Sequence, residues 1–92
     1  MRCMKMDELL LKNAGRVIRA HRKVKGYSRE ELAHRSDIHH THLGNIERGT
    51  SAATLPTLFK VAGGLDLNPS LLIKEVEEDI ILLYKEDARS RT

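Results

Sequence analysis

The stretch SREELAHRSDIHHTHLGNIERG, residues 28–49, decides the fold of this chain of 92 residues. Ser28 and Glu31 have the spacing of a capping box, in which each side chain accepts a hydrogen bond from the backbone of the other. Asp37 follows this first short helix and tolerates the positive φ that a tight turn requires. The sequence therefore predicts a helix of about two turns, a tight turn, and a second helix over about residues 40–48.

The second of these helices is predicted to stop at Gly49 and to have one apolar and one polar side. Leu43 and Ile46 are three residues apart and are expected to face the core. The outward side then carries only small or polar residues, namely His40, Thr41, Gly44 and Asn45.

Apolar residues recur at helical spacing through the rest of the chain, and no stretch keeps a period of two, so we predict an all-α fold of five helices. The first helix is expected from Asp7, as its N-cap, to Lys25, with Gly26 as a left-handed C-cap. The fourth begins at a Thr54 cap, and the fifth runs from Pro69 to about position 87, before a frayed tail.

The length and composition of the chain fit a single domain, residues 1–92, with a core over about residues 7–72. Cys3 is the only cysteine, which excludes an internal disulfide. No apolar stretch reaches the roughly 18 residues that a membrane span needs, and none resembles a signal peptide. We therefore expect a soluble, cytoplasmic protein.

Positive charge is concentrated in the first part of the chain. Residues 1–53 contain 11 Lys and Arg against 6 Asp and Glu, whereas residues 54–92 contain 5 against 7. A basic first part and an acidic second part predict that one face binds a polyanion and another face binds something else.

Four blocks of sequence keep one register over about fifty residues. They are Ile18-Arg19…Arg22, then Gly26-Tyr27-Ser28-Arg29-Glu30-Glu31-Leu32-Ala33, then Ile38…Leu43…Ile46-Glu47-Arg48-Gly49, and then Thr54-Leu55…Leu58…Val61-Ala62…Leu65. This order resembles the lambda-repressor-like family, which includes Cro and the Xre-type regulators. Within the family the chain looks most like the restriction–modification controller proteins.

The resemblance implies a helix-turn-helix whose second helix reads base edges in the major groove of DNA. It places the base contacts on His40, Thr41, Gly44 and Asn45. Asn45 is expected to pair with adenine N6 and N7, and His40 with guanine. The alternative for these residues is an ordinary solvated helix face.

The resemblance also implies contacts to DNA phosphates around the two short helices. Arg29 stands at the start of the first of them, where free backbone N–H groups and the helix dipole favour an anion. The family usually has glutamine there. The full set of expected phosphate contacts is Ser28, Arg29, Arg48, Thr50 and Ser51, with Arg16 and Arg19 as weaker candidates.

Three further residues are interpreted through the resemblance. Arg22 and Glu47 are expected to form a partly buried salt bridge between the first and third helices, with an architectural role. His39 takes an N-cap position where Ser, Asn or Thr is usual, which predicts fraying at the start of the reading helix.

The fifth helix carries more apolar residues than a small core can cover. Ile73, Ile80, Ile81 and Tyr84 are predicted to form a symmetric dimer interface, with two reading helices about 34 Å apart on a palindromic site. The alternative is a helix that only wraps its own core.

We therefore predict a sequence-specific DNA-binding transcription regulator that acts as a homodimer. The rival class is an antitoxin-type module that binds a partner protein through the last helix. An enzyme is not expected, because the sequence has neither a phosphate loop nor a nucleophile elbow. No cofactor, small-molecule effector or metal is expected either, since His39, His40 and His42 lack the i,i+4 spacing of zinc-binding helices.

Overall fold

The computed structural model describes residues 5–90, and for residues 83–90 it describes the backbone alone. All regular structure over residues 5–90 is helical, as the sequence predicts. No helix in this part of the chain is long and apolar enough to span a membrane. The five helices are α1 (Met6–Lys25), α2 (Arg29–Ser36), α3 (His40–Arg48), α4 (Leu55–Gly64) and α5 (Pro69–Ser90).

The predicted C-terminal ends of α1, α2 and α3 and the predicted start of α4 are confirmed. Gly26 and Gly49 adopt left-handed φ values of 77° and 78° after α1 and α3. Asp37 has φ 55° after α2, which produces the tight turn between α2 and α3. Thr54 caps α4 by accepting a hydrogen bond from the backbone of Thr57 at 3.3 Å.

Two predicted helix starts are only partly right. The N-cap of α1 is Lys5, and Asp7 lies in the first turn, where the helix dipole still favours a carboxylate. The Ser28 hydroxyl accepts from the backbone N–H of Glu31 at 3.0 Å, as predicted. The Glu31 carboxylate, however, accepts from Arg35 at 2.9 Å, so only half of the capping box is shown.

The predicted frayed tail is wrong over positions 88–90, because α5 continues to Ser90. Residues 91–92 lie outside the described part of the chain.

The core lies between α1, α2, α3 and α4, with a smaller cluster beneath α5. Leu43 and Ile46 are buried, as their spacing predicts. The main cluster consists of Ile18, Leu32, Ala33, Leu43, Ile46, Val61 and Leu65, and the second of Val17, Ala62 and Leu72.

Two glycines allow helices to approach each other closely. A Cβ at Gly15, in the middle of α1, would collide with the carbonyl oxygens of Ile46 and Glu47. A Cβ at Gly64 would collide with the hydroxyl of Ser36 at the end of α2. The last turn of α3 is therefore packed directly against the backbone of α1, which fixes the position of α3.

Polar side chains join α5 to α1. Arg16 donates to Asp79 at 2.6 Å and to Asn13 at 2.8 Å. One turn further along α1, Nε2 of His21 lies 2.5 Å from the Glu75 carboxylate. Arg16, a weaker candidate for a phosphate contact, is thus engaged by α5 on the side of α1 that faces that helix.

Candidate nucleic-acid interface

The start of α3 presents polar side chains to solvent. His40 and Thr41 are exposed, as predicted. His39 does cap the helix, because its Nδ1 accepts the backbone N–H of Thr41 at 3.1 Å. The His39 and His40 rings also stack, with centroids 4.7 Å apart. The imidazole therefore satisfies one of the free backbone N–H groups at the helix start, as a Ser, Asn or Thr cap would.

Gly44 is more covered than its predicted place on the outward side of α3 suggests. Gly44 is buried, because the side chains of Arg29 and Arg48 cover it. A Cβ at this position would lie 3.3 Å from Nη1 of Arg48 and 3.4 Å from Cδ and Nη1 of Arg29. Both arginines would have to move aside before Gly44 contacted a base.

Asn45 is half-buried and engaged at both its side chain and its backbone. Its Oδ1 accepts a hydrogen bond from Nη2 of Arg48 at 2.7 Å. Its carbonyl accepts from the backbone of Thr50 at 2.9 Å and of Ser51 at 3.3 Å. The Thr50 hydroxyl donates to the same carbonyl at 3.1 Å. Thr50 and Ser51, expected at phosphates, therefore also serve to end α3.

Arg29 is the first residue of α2 and is exposed. Its Nε lies 3.8 Å from the Glu47 carboxylate. Ser28 precedes it as the N-cap, with its hydroxyl oxygen already accepting from the backbone. Arg29 thus begins at the N-terminus of α2, where the helix dipole favours an anion, and its guanidinium reaches Glu47 and Gly44 on α3.

Arg22 and Glu47 form a bidentate ion pair between α1 and α3. Nε and Nη2 of Arg22 donate to the two carboxylate oxygens at 2.7 and 2.9 Å, and Nη1 donates to the Tyr27 carbonyl at 3.0 Å. Hydrogen bonding to the Glu47 carboxylate raises the pKa of Arg22 above its ordinary value. Arg22 is therefore positively charged throughout the neutral range, and the pair braces α3 against α1.

The predicted dimer surface on α5 is partly wrong. Ile73 and Ile81 are 49% and 47% exposed, whereas Ile80 is only 7% exposed and belongs to the buried side. Leu72, Val76 and Ile80 follow one another at intervals of four and form the face that packs inward. The Tyr84 side chain lies outside the described side chains.

Sequence reasoning missed two apolar features of the surface. Leu55 and Phe59 project from α4 into solvent, one turn apart. A groove of about 440 Å³ lies between α1 and α5, and Leu10, Ala14 and Ile73 are among its lining residues. Neither feature could be distinguished from core-forming periodicity in the sequence.

Two short helices, a tight left-handed turn and a second helix with a buried apolar side and an exposed polar side define the helix-turn-helix class of DNA-binding proteins. In this class the second helix enters the major groove. Here that helix is α3, held by its buried leucine and isoleucine and by the ion pair to α1.

Comparison with known proteins agrees with this assignment. Residues 18–72 match the family model described as Helix-turn-helix. A relative named control protein C.SmaI, from Serratia marcescens, is 34% identical over 73 residues, which cover 78% of this chain and 82% of the relative. This chain belongs to the helix-turn-helix family of control proteins, as its residue order indicated.

Solved structures of restriction–modification controller proteins have the same fold. The controller protein C.AhdI from Aeromonas hydrophila superposes with a TM-score of 0.65 and 35% identity, covering 68% of this chain and 94% of that one. Wild-type controller protein C.Esp1396I gives a TM-score of 0.71 with 28% identity, covering 78% and 94%. The chain is thus a DNA-binding transcription regulator of the controller type and not an enzyme.

Proposed function

We propose that this chain acts as a homodimer that binds palindromic operators in the cytoplasm and thereby controls transcription. Each α3 would enter the major groove of one half-site, with His40, Thr41 and Asn45 reading bases. Ser28, Arg29, Thr50 and Ser51 would contact the phosphates on either side of the groove.

The observation that carries this proposal is the fixed position of an exposed polar helix face. His40 and Thr41 point into solvent, while Leu43 and Ile46 on the opposite side of α3 are buried. The Arg22–Glu47 pair holds the end of the same helix. Side chains that recognise bases bind more tightly when little conformational entropy is lost on binding. A helix that is already held in position loses little.

The distribution of charge over the helices also indicates which part of the molecule faces DNA. The excess of Lys and Arg lies in residues 1–25, which include α1 and contain 8 Lys and Arg against 2 Asp and Glu, whereas residues 26–53 contain 3 against 4. The acidic residues Glu75 and Asp79 instead lie on α5 and contact α1. A phosphate backbone would therefore be attracted to the cations of α1 and not to α5, while Arg29 and Arg48 supply individual positive charges beside α3.

Support for a dimer comes from apolar side chains that the monomer leaves in solvent. Ile73, Ile81 and Leu82 on α5 are all about half exposed or more. A symmetric contact between two such surfaces would bury them, and it would pair two reading helices for adjacent turns of the groove.

Selection of bound fragments from random duplex DNA tests the proposal. We expect two inverted half-sites whose centres are about one helical turn apart. The double substitution His40→Ala, Thr41→Ala should weaken the preference for the selected sequence about tenfold or more, because both side chains lie at the exposed start of α3. Lys60→Ala is the matched control, since it removes an exposed cation from α4 and should keep the preference.

No preference for any duplex over competitor DNA at moderate ionic strength would contradict the proposal. A single half-site without its inverted copy would contradict only the dimer. Stable copurification of an unrelated protein that needs Ile81 would favour the rival antitoxin-type role.

A further inference from the structure

We infer that Arg48 and Asn45 form one reading unit that selects guanine. Arg48 then has a role in base recognition beyond a phosphate contact, and Asn45 does not read adenine. This inference rests on the proposed entry of α3 into the major groove. It adds that the base facing Arg48 and Asn45 is a guanine.

The contact between the two side chains fixes the orientation of the Asn45 amide. Nη2 of Arg48 lies 2.7 Å from Oδ1 of Asn45. A guanidinium has only donors, so the atom facing it must be the amide oxygen and not the amide nitrogen. The NH₂ group of Asn45 is therefore directed away from Arg48, and it is the amide's donor group that is left for a ligand.

The two purines differ in what they require from such a group. Adenine presents the N7 acceptor and the N6 donor in the major groove, so a bidentate asparagine needs both its oxygen and its nitrogen. Arg48 already donates to this oxygen, and a charged donor competes with adenine N6 for it. Guanine presents two acceptors, N7 and O6, which match the Asn45 NH₂ group and the remaining N–H groups of Arg48.

The surroundings of the pair also supply donors. Gly44 lacks a side chain, and Nη1 of Arg48 and Nη1 of Arg29 lie 3.3 and 3.4 Å from the position that its Cβ would occupy. The carboxylate of Glu47 lies 3.8 Å from Nε of Arg29, but the Glu47 side chain is only 4% exposed and is held by Arg22. Glu47 therefore cannot offer an acceptor to a base, and the surface over Gly44 favours an acceptor-rich base edge.

Sequence spacing places the pair on the same side of α3 as the exposed Thr41. Asn45 and Arg48 are three residues apart on α3 and thus share a face. Arg48 is exposed and Asn45 is half-buried, so the hydrogen bond between them lies at the solvent edge of the helix. The hydrogen bond holds both side chains in one arrangement before DNA binds, which lowers the entropy that binding costs.

Substituted bases in the selected duplex test the inference. For the wild-type protein, replacing the contacted guanine by adenine or by 7-deazaguanine, which lacks the N7 acceptor, should weaken binding about tenfold or more. Arg48→Ala and Asn45→Ala should each remove most of this discrimination. The double variant should lose little more than either single one, because the two side chains act together.

Arg48→Lys separates base reading from charge. It keeps the positive charge but cannot donate to a base and to Asn45 in the fork geometry of arginine. We expect the salt dependence of binding to be retained and the discrimination between guanine and adenine to fall. Thermal unfolding of each variant checks that the fold is intact, and Lys60→Ala serves as the control with unchanged discrimination.

Full discrimination in Arg48→Lys, or equal losses by Arg48→Ala on all sequences, would show that Arg48 contacts phosphate alone. An adenine at this position in the selected site would also overturn the inference. These results differ from failure of the proposed function, in which the wild-type protein would prefer no duplex at all.

Discussion

Ser28 and Ser36 lie at the two ends of α2 and differ in whether the hydroxyl has a partner. The Ser28 hydroxyl oxygen accepts the backbone N–H of Glu31 and so replaces a bond that the helix start would lack. Ser36 is 2% exposed, and its hydroxyl has no hydrogen-bond partner among the described residues. A buried polar group without a partner loses its hydration and gains nothing in return.

The two serines should therefore respond in opposite ways to the same substitution. Ser36→Ala is expected to leave the free energy of unfolding unchanged or to raise it by up to about 1 kcal/mol. Ser28→Ala should lower it by about 1 kcal/mol through loss of the cap. Urea denaturation of both variants measures the difference, and a clear loss of stability in Ser36→Ala would reveal a partner for its hydroxyl.

Arg22 is the residue on which the position of α3 depends most. Arg22→Ala should lower the free energy of unfolding by about 3–5 kcal/mol, because it leaves the Glu47 carboxylate buried without its partner. Arg35→Ala is the matched control. Its exposed pair with Glu31 should contribute less than about 1 kcal/mol. Equal losses in the two variants would contradict the architectural role of Arg22.

The pH dependence of this contribution follows from the direction of the Arg22 shift. Glu47 raises the pKa of Arg22 in the folded protein. The contribution of Arg22 is therefore complete below the pKa in the unfolded chain and is lost only as the pH rises through the higher folded value. Between about pH 6 and 9, titration of Arg22 should not change the stability.

At the scale of elements, the packing of α1 against α3 depends on a glycine that has no side chain to contribute. Gly15 lies where the backbone of α1 meets the carbonyl groups of Ile46 and Glu47. Carbonyl groups in the last turn of a helix cannot yield as a flexible side chain does. The two helices can therefore lie this close only because position 15 has no Cβ.

Two Gly→Ala substitutions within helices should have opposite effects. Gly15→Ala is expected to push α3 away from α1 and to lower the free energy of unfolding by about 1–3 kcal/mol. Nothing lies within 4 Å of a Cβ at Gly63, so Gly63→Ala should raise stability by about 0.5–1 kcal/mol through helix propensity. Thermal unfolding of both variants tests this, and a stabilised Gly15→Ala would contradict the close packing.

At the scale of the whole molecule, one side of α5 packs against the rest of the chain and the other side is exposed to solvent. Ile80 lies on the buried side, and Arg16 and His21 of α1 hold the helix through Asp79 and Glu75. A charge at position 80 would therefore test folding and not association. The dimer proposal has to be tested on the exposed side.

The double substitution Ile73→Asp, Ile81→Asp should convert a dimer to a monomer while leaving the fold intact, because each side chain is about half exposed. Sedimentation equilibrium gives the mass, and circular dichroism checks the helices. Val24→Asp is the control, since Val24 is an exposed apolar residue of α1 that is not part of the proposed interface. A dimer that survives the double substitution would place the interface elsewhere, for example at Leu55 and Phe59.

The sequence by itself determined the helices, most of their ends, and the family. Caps at Ser28 and Thr54 and left-handed residues at Gly26, Asp37 and Gly49 act within a few residues, so their effect can be predicted from neighbours in the chain. The resemblance in residue order also implied the contact between Arg22 and Glu47, which the structure contains.

Only the tertiary structure decided which apparent surface residues are covered. Periodicity placed Gly44 outward, but Arg29 comes from a different helix to cover it together with Arg48. Periodicity likewise could not assign Ile80 to the inner side of α5 and Ile81 to the outer side. Burial depends on what packs against a residue, and those partners are distant in the sequence.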